Sequence, residues 1–123
     1  MARVEVTRTS PVGPHPASVA ADALDIAWTA AEANGTPANE NYFVSTGPQM
    51  LLVRNTHATT AYTFTLNSAP IKGREEDVTD YSLAAGEQAA FYLEKPLGWR
   101  QSDGNVNLEA NNAAIEFAVL DLQ

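Results

Sequence analysis

An all-β domain, an antiparallel β-sandwich or barrel of about seven to nine short strands, is what the sequence predicts. Three observations carry that prediction. Apolar residues recur at every second position in short runs, as in Tyr62-Phe64-Leu66, Ala89-Phe91-Leu93 and Ile115-Phe117-Val119, the period of a half-buried strand. Clusters of Gly, Pro, Asn and Asp separate the runs at roughly 8–12-residue intervals. The chain shows neither alternating strand and helix patterns nor an internal repeat. At 123 residues without cysteine, it fits one domain able to bury a core without disulfide staples.

Residues 1–22 read as a strand followed by an extended arm, and 23–123 as the single β domain. Arg3 to Thr9 alternates and is β-branched. Ser10-Pro11-Val12-Gly13-Pro14-His15-Pro16 then carries three prolines, which fix φ and remove backbone donors, so the arm is extended. Two placements follow: an edge strand with a surface crossover, or an arm reaching a neighbouring subunit. Residues 17–33 support two readings. Val19, Ala23, Ile26, Ala30 and Ala33 recur at helical spacing, whereas Leu24, Ile26 and Trp28 alternate as in a strand. The strand near Leu24–Ala30 is preferred because its surroundings are β-rich. Gly35 to Asn41 is a loop.

The stretch Asn41–Asn67 is the expected folding centre. Tyr42-Phe43-Val44 leads into Thr46-Gly47-Pro48, where glycine permits positive φ and proline blocks a ladder bond. Gln49–Asn55, with Met50-Leu51-Leu52-Val53, is apolar on both faces and reads as a central strand. Thr56–Thr60 is read as a turn closing a hairpin onto Ala61–Asn67, where Tyr62, Phe64 and Leu66 share one face. Ser68–Asp77 is a polar loop. Val78–Leu83 and Gln88–Glu94 are strands about the tight turn Ala84-Ala85-Gly86-Glu87. Trp99-Arg100-Gln101 is expected as a short strand before the Asp103-Gly104 turn, a hairpin signal. Val106–Glu109 and an apolar run around Ile115–Val119 complete the set.

A formal charge of −8, from 7 basic and 15 acidic residues, repels nucleic-acid phosphates and anionic lipid, so neither is an expected partner. No apolar run approaches the ~20 residues of a membrane span, and MARVEVTRTS lacks the apolar core of a signal peptide. Synthesis in the cytoplasm without export is therefore expected. No catalytic set assembles from the chain, so no enzyme, cofactor or metal is expected. Its two histidines, His15 and His57, stand in loops outside any metal-ligand spacing. Ser45 lacks the first glycine of a nucleophile elbow. The acidic group Glu75-Glu76-Asp77 with Asp80 lacks the ligand order of a calcium loop and adjoins Lys72 and Arg74, so a solvated loop is favoured. Trp28, Trp99, Tyr42, Tyr62, Tyr81 and Tyr92 are spread over separate strands, where core packing is the default and a sugar-binding face the alternative.

From Ala23 to the C-terminus the pattern resembles small virion proteins of tailed bacteriophages, those of the capsid decoration or head-cement type. The shared features are Ser45-Thr46-Gly47 followed by Met50-Leu51-Leu52-Val53-Arg54-Asn55-Thr56, and the Thr-rich strand at 62–66. The Ala-Ala-Gly-Glu turn at 84–87, the Asp-Gly-Asn turn at 103–105 and the apolar final strand complete them. The resemblance implies a non-enzymatic protein on the capsid surface that binds the major capsid protein, cements capsomers and forms a homotrimer. A carbohydrate-binding or adhesion module and a tail or head-connector protein are the alternatives. Under the first reading the expected capsid or subunit contacts are Arg3, Val4, Val6, Arg8, Pro11, Pro14 and Pro16. The backbone of Val4–Thr9 would add as a strand to a neighbour, with Arg3 and Arg8 meeting its acidic groups.

Overall fold

The computed structural model describes residues 3–10, 25–32, 40–69, 77–94 and 97–122. Among them there are ten strands and no helix: β1 (Val4–Glu5), β2 (Arg8–Thr9), β3 (Thr29–Ala30), β4 (Asn41–Val44), β5 (Gln49–Asn55), β6 (Tyr62–Leu66), β7 (Val78–Leu83), β8 (Gln88–Leu93), β9 (Asn105–Ala110) and β10 (Ile115–Asp121). They form two sheets. One runs β1-β4-β9-β6-β7, and the other runs β2-β10-β5-β8 with β3 also on β10. The expected all-β fold is what the chain adopts, as a sandwich of two mixed sheets. Parallel pairing enters only through β1 beside β4 and β2 beside β10.

Alternation fixes which side of each strand faces inward. Leu51 and Val53 of β5, Phe64 and Leu66 of β6, Val106 and Leu108 of β9, and Ile115, Phe117 and Val119 of β10 are all buried between the sheets. Each such side chain, fully buried, contributes about 1.5–3 kcal/mol. Phe64 and Phe117 meet edge to face at 6.1 Å across the middle of this core. The outward residues of β5, Met50 and Leu52, are half-buried. As expected, β5 is an interior strand, flanked by β10 over seven residue pairs and by β8 over six.

One expectation is corrected. β5 and β6 do not form a hairpin; they lie in opposite sheets. The connection 56–61 is an arch that carries the chain across the core. Among the described residues β6 and β7 are the one consecutive pair that hydrogen-bond to each other. The physical reason is that the inward rows of β5 and β6 both need apolar cover. Crossing lets Leu51 and Val53 oppose Phe64 and Leu66 instead of lying beside them. The Ser45–Pro48 bend, the Ala84–Glu87 turn and the 111–114 connection cross between sheets in the same way.

Smaller corrections follow. Trp99-Arg100-Gln101 is no strand: Leu97–Trp99 turns, and Trp99 packs on the core. The Asp103-Gly104 turn does form, with Gly104 at φ 91° and its N–H donating to the Gln101 carbonyl at 2.9 Å. It leads into β9 without a hairpin ladder. Of the strand preferred at Leu24–Ala30, only Thr29–Ala30 is β, and Asp25–Trp28 is irregular; Leu24 lies outside the described residues. The proline arm also lies outside them.

Candidate functional site

Four of the residues expected to make contacts, Arg3, Val4, Val6 and Arg8, sit where the N-terminal segment crosses from one sheet to the other. The Val4 N–H donates to the Glu40 carbonyl at 2.7 Å, and that of Val6 to the Tyr42 carbonyl at 2.8 Å. Val6 is fully buried at the crossover. The Thr7 N–H then turns to the Thr29 hydroxyl at 3.2 Å, after which Arg8 and Thr9 lie parallel to Val119 and Leu120. The backbone from Val4 to Thr9 thus finds partners within the same chain. A β-branched run with apolar residues at every second position suits this path, because Val6 points into the core where the strand changes sheets.

Both arginines have partners inside the chain as well. The Arg3 guanidinium donates to the Asn41 carbonyl at 3.1 Å and lies 3.8 Å from the Glu109 carboxylate. Arg8 donates to Asp121 at 2.8 Å. Of the seven expected contact residues, Val4, at 40%, and Arg8 are exposed. Arg3, Val6 and Arg8 belong to this seam, and Pro11, Pro14 and Pro16 lie outside the described residues.

Four buried polar side chains, Asp121, Gln49, Asn55 and Asn41, lock the fold at its bends. Asp121, at the end of β10, accepts four hydrogen bonds. Gln49 Nε2 at 2.8 Å and the Thr46 hydroxyl at 3.3 Å reach one oxygen; Arg8 at 2.8 Å and the Ser10 hydroxyl at 3.3 Å reach the other. The cluster joins the N-terminal strand, the last strand and the β4–β5 bend. Asn55 closes the β5–β6 arch: its amide donates to the Thr60 and Leu83 carbonyls, both at 2.9 Å, and its oxygen accepts from the His57 N–H. Asn41 accepts from the Glu32 N–H at 2.8 Å and ties the end of β3 to β4. A signal did exist. Asn41, Gln49, Asn55 and Asp121 all fall on the inward phase of their strands, where a polar residue must find a partner.

His57 belongs to the same arch. Its Nδ1 accepts from the Thr59 and Thr60 N–H groups at 3.1 and 3.0 Å, and its ring stands edge-on to Tyr62. Ser45 is part of another bend, its carbonyl accepting from Arg100 at 3.0 Å. Asp77 accepts from the backbone and hydroxyl of Ser68. Among the described residues no three His, Asp or Glu side chains converge as metal ligands. A depression of about 140 Å³ lined by Glu40, Thr63, Asp80, Glu109 and Asn111 is smaller than the ~300 Å³ at which small-molecule pockets begin, and one of about 320 Å³, bordered by Glu5, Thr7, Arg8, Ser10 and Asp121, lies along the N-terminal seam.

The six aromatics of the sugar-binding alternative are dispersed. Trp28 covers the outer side of β5, with the Arg54 guanidinium 4.1 Å from its ring and Arg54 in turn paired with Glu116. Tyr62 and Trp99 pack against the core. Tyr42 is half-buried, Tyr81 joins Phe64 and Phe91, and Tyr92 is 58% exposed on the outer face of β8. They form no common platform. Comparison with protein-family models, with curated proteins and with solved structures returned no match.

Proposed function

We propose that the chain is a non-enzymatic structural protein of a bacteriophage particle, a capsid decoration protein that docks as a homotrimer on the lattice of the major capsid protein and stabilises the head. The observation that carries this reading is the use to which the buried polar side chains are put. Asp121, Gln49, Asn41 and Asn55 each fasten a bend or a strand end. A body fastened at its bends loses little conformational freedom when it binds, so its affinity is less eroded by ordering costs. The sequence pattern at 45–56, 84–87 and 103–105 supports the phage assignment, and the charge of −8 suits a basic receiving surface.

Co-sedimentation of the purified protein with empty heads of the phage that encodes it, followed by electron microscopy, is the test. Binding that saturates at three copies per local symmetry axis is the expected result. Absence from the head fraction at micromolar concentration, or attachment to tails alone, overturns the assignment.

A further inference from the structure

The sandwich treats two of its open edges differently. On β7, Asp80 adopts φ 51°, the ladder to β6 shifts register between Phe64 and Leu66, and the Asp80 N–H turns to the Thr65 hydroxyl at 3.1 Å. A bulge and a charge are the usual devices by which an edge strand is kept from pairing. β8 carries neither. From Gln88 to Leu93 it contains no charge, proline or glycine, and it pairs with β5 without interruption from Gln49↔Leu93 to Arg54↔Gln88.

The direction of its backbone groups follows from the ladder. The Asn55 N–H donates to the Glu87 carbonyl. By the alternation of antiparallel pairing, Ala89, Phe91 and Leu93 therefore bond to β5, while Gln88, Ala90 and Tyr92 turn their N–H and C=O groups outward. Among the described residues no strand pairs with that side. Next to it the aromatic floor is already built. Phe91 stands edge-on to Tyr81 at 5.4 Å and to Phe64 at 5.5 Å, and Tyr81 remains 42% exposed. An added strand would cover that ring with its inward row.

Charge selects the occupant. The segment 77–94 contains Asp77, Asp80, Glu87 and Glu94 and no Lys, Arg or His. Glu87 and Glu94 are exposed and bracket β8. A second copy of the chain would bring another −8 and the same acidic rim, which opposes edge-to-edge self-pairing. We propose that β8 is an acceptor edge for an extended segment of a partner protein, with apolar or β-branched side chains at alternate positions and Lys or Arg at its ends. Backbone hydrogen bonds supply the affinity, and the aromatic floor and acidic rim supply the selectivity. The inference goes beyond the decoration reading, since the edge is unpaired among the described residues whatever particle the protein serves.

The test is a titration of the isotope-labelled full chain, followed by nuclear magnetic resonance. The probe is a short synthetic peptide of alternating valine and threonine with a lysine at each end; a control peptide carries glutamates there instead. Amide signals of Gln88, Ala90 and Tyr92 are expected to shift and to gain protection from exchange. The lysine peptide is expected to bind at least about tenfold more tightly than the glutamate one. Ala90→Pro removes an outward N–H without touching the ladder to β5, and should weaken binding at least about tenfold. Glu94→Lys keeps the strand's own sequence and sets a like charge beside one end of the lysine peptide, so it should weaken binding even if the proline variant folds poorly. Perturbation centred elsewhere, equal affinity for the two peptides, or full binding by Glu94→Lys overturns the proposal. So does a concentration-dependent dimer dissolved by Ala90→Pro, which would make the occupant a second copy. Failure to bind heads with peptide binding intact would count against the decoration reading alone.

Discussion

Replacing Asp121 with alanine tests whether the buried carboxylate is the fastening that joins the two ends of the described fold. Its four donors lose their acceptor unequally. The hydroxyls of Thr46 and Ser10 belong to exposed residues and rehydrate at little cost. The Arg8 side chain is 31% exposed, so its guanidinium stays solvated, and the lost pair costs only about 1 kcal/mol. Gln49 is different: it is 1% exposed, and its Nε2 divides its donors between the Val44 carbonyl at 3.0 Å and Asp121 at 2.8 Å. Without the carboxylate one buried N–H is left unmade, at about 1–3 kcal/mol. The sum, about 3 kcal/mol, is a large part of the ~5–15 kcal/mol stability of a single domain. Urea denaturation should show the midpoint falling by about 1–2 M at a slope near 2 kcal/mol/M, and the Arg8→Ala variant should lose about a third as much. An Asp121→Ala cost below about 0.5 kcal/mol, or one equal to that of Arg8→Ala, would refute the reasoning, because Gln49 would then have found another partner.

Two further substitutions probe the bends by the same denaturation assay. Asn55→Ala strips the β5–β6 arch of three hydrogen bonds, of which the one to the Leu83 carbonyl lies deepest, and should cost about 2 kcal/mol. Asn55→Asp should cost more, about 3 kcal/mol, because it sets a carboxylate oxygen against the Thr60 and Leu83 carbonyls; the reverse order would mean that the amide is turned the other way. Gly86 holds φ +80° with nothing within 4 Å of where a Cβ would stand. Gly86→Ala should therefore pay backbone strain alone, about 1 kcal/mol, and a loss above about 3 kcal/mol would show that the turn packs against something.

Period-two spacing made most of the described strands legible. β7 runs Val78–Leu83 as expected, β8 lacks only Glu94, and β10 extends past Val119 to Asp121. It also put Phe64, Leu66, Ile115, Phe117 and Val119 on inward faces, because alternation is a property of the extended backbone and needs no knowledge of neighbours. The candidate surface was far less legible. Arg3 and Arg8 are plain as charges in the sequence, but their partners, Glu109 and Asp121, lie over a hundred residues away, and nothing local announces such a pairing. The β8 edge was invisible for a similar reason: an uncharged strand reads the same whether it lies inside a sheet or at its margin.

What the sequence by itself determined, then, is the all-β class, the approximate strands and the side each turns inward. What only the tertiary structure decided is sheet membership. In a sandwich the inner faces of both sheets carry the same alternating pattern, so a turn between two apolar strands fits a hairpin or an arch equally well. Thr56–Thr60, by its spacing a hairpin turn, is an arch. The choice lies in whether Leu51 and Val53 pack beside Phe64 and Leu66 or opposite them, a matter of burying both faces at once. That choice also fixes which strand ends at a margin, so that among the described residues no strand meets the outward groups of Gln88, Ala90 and Tyr92.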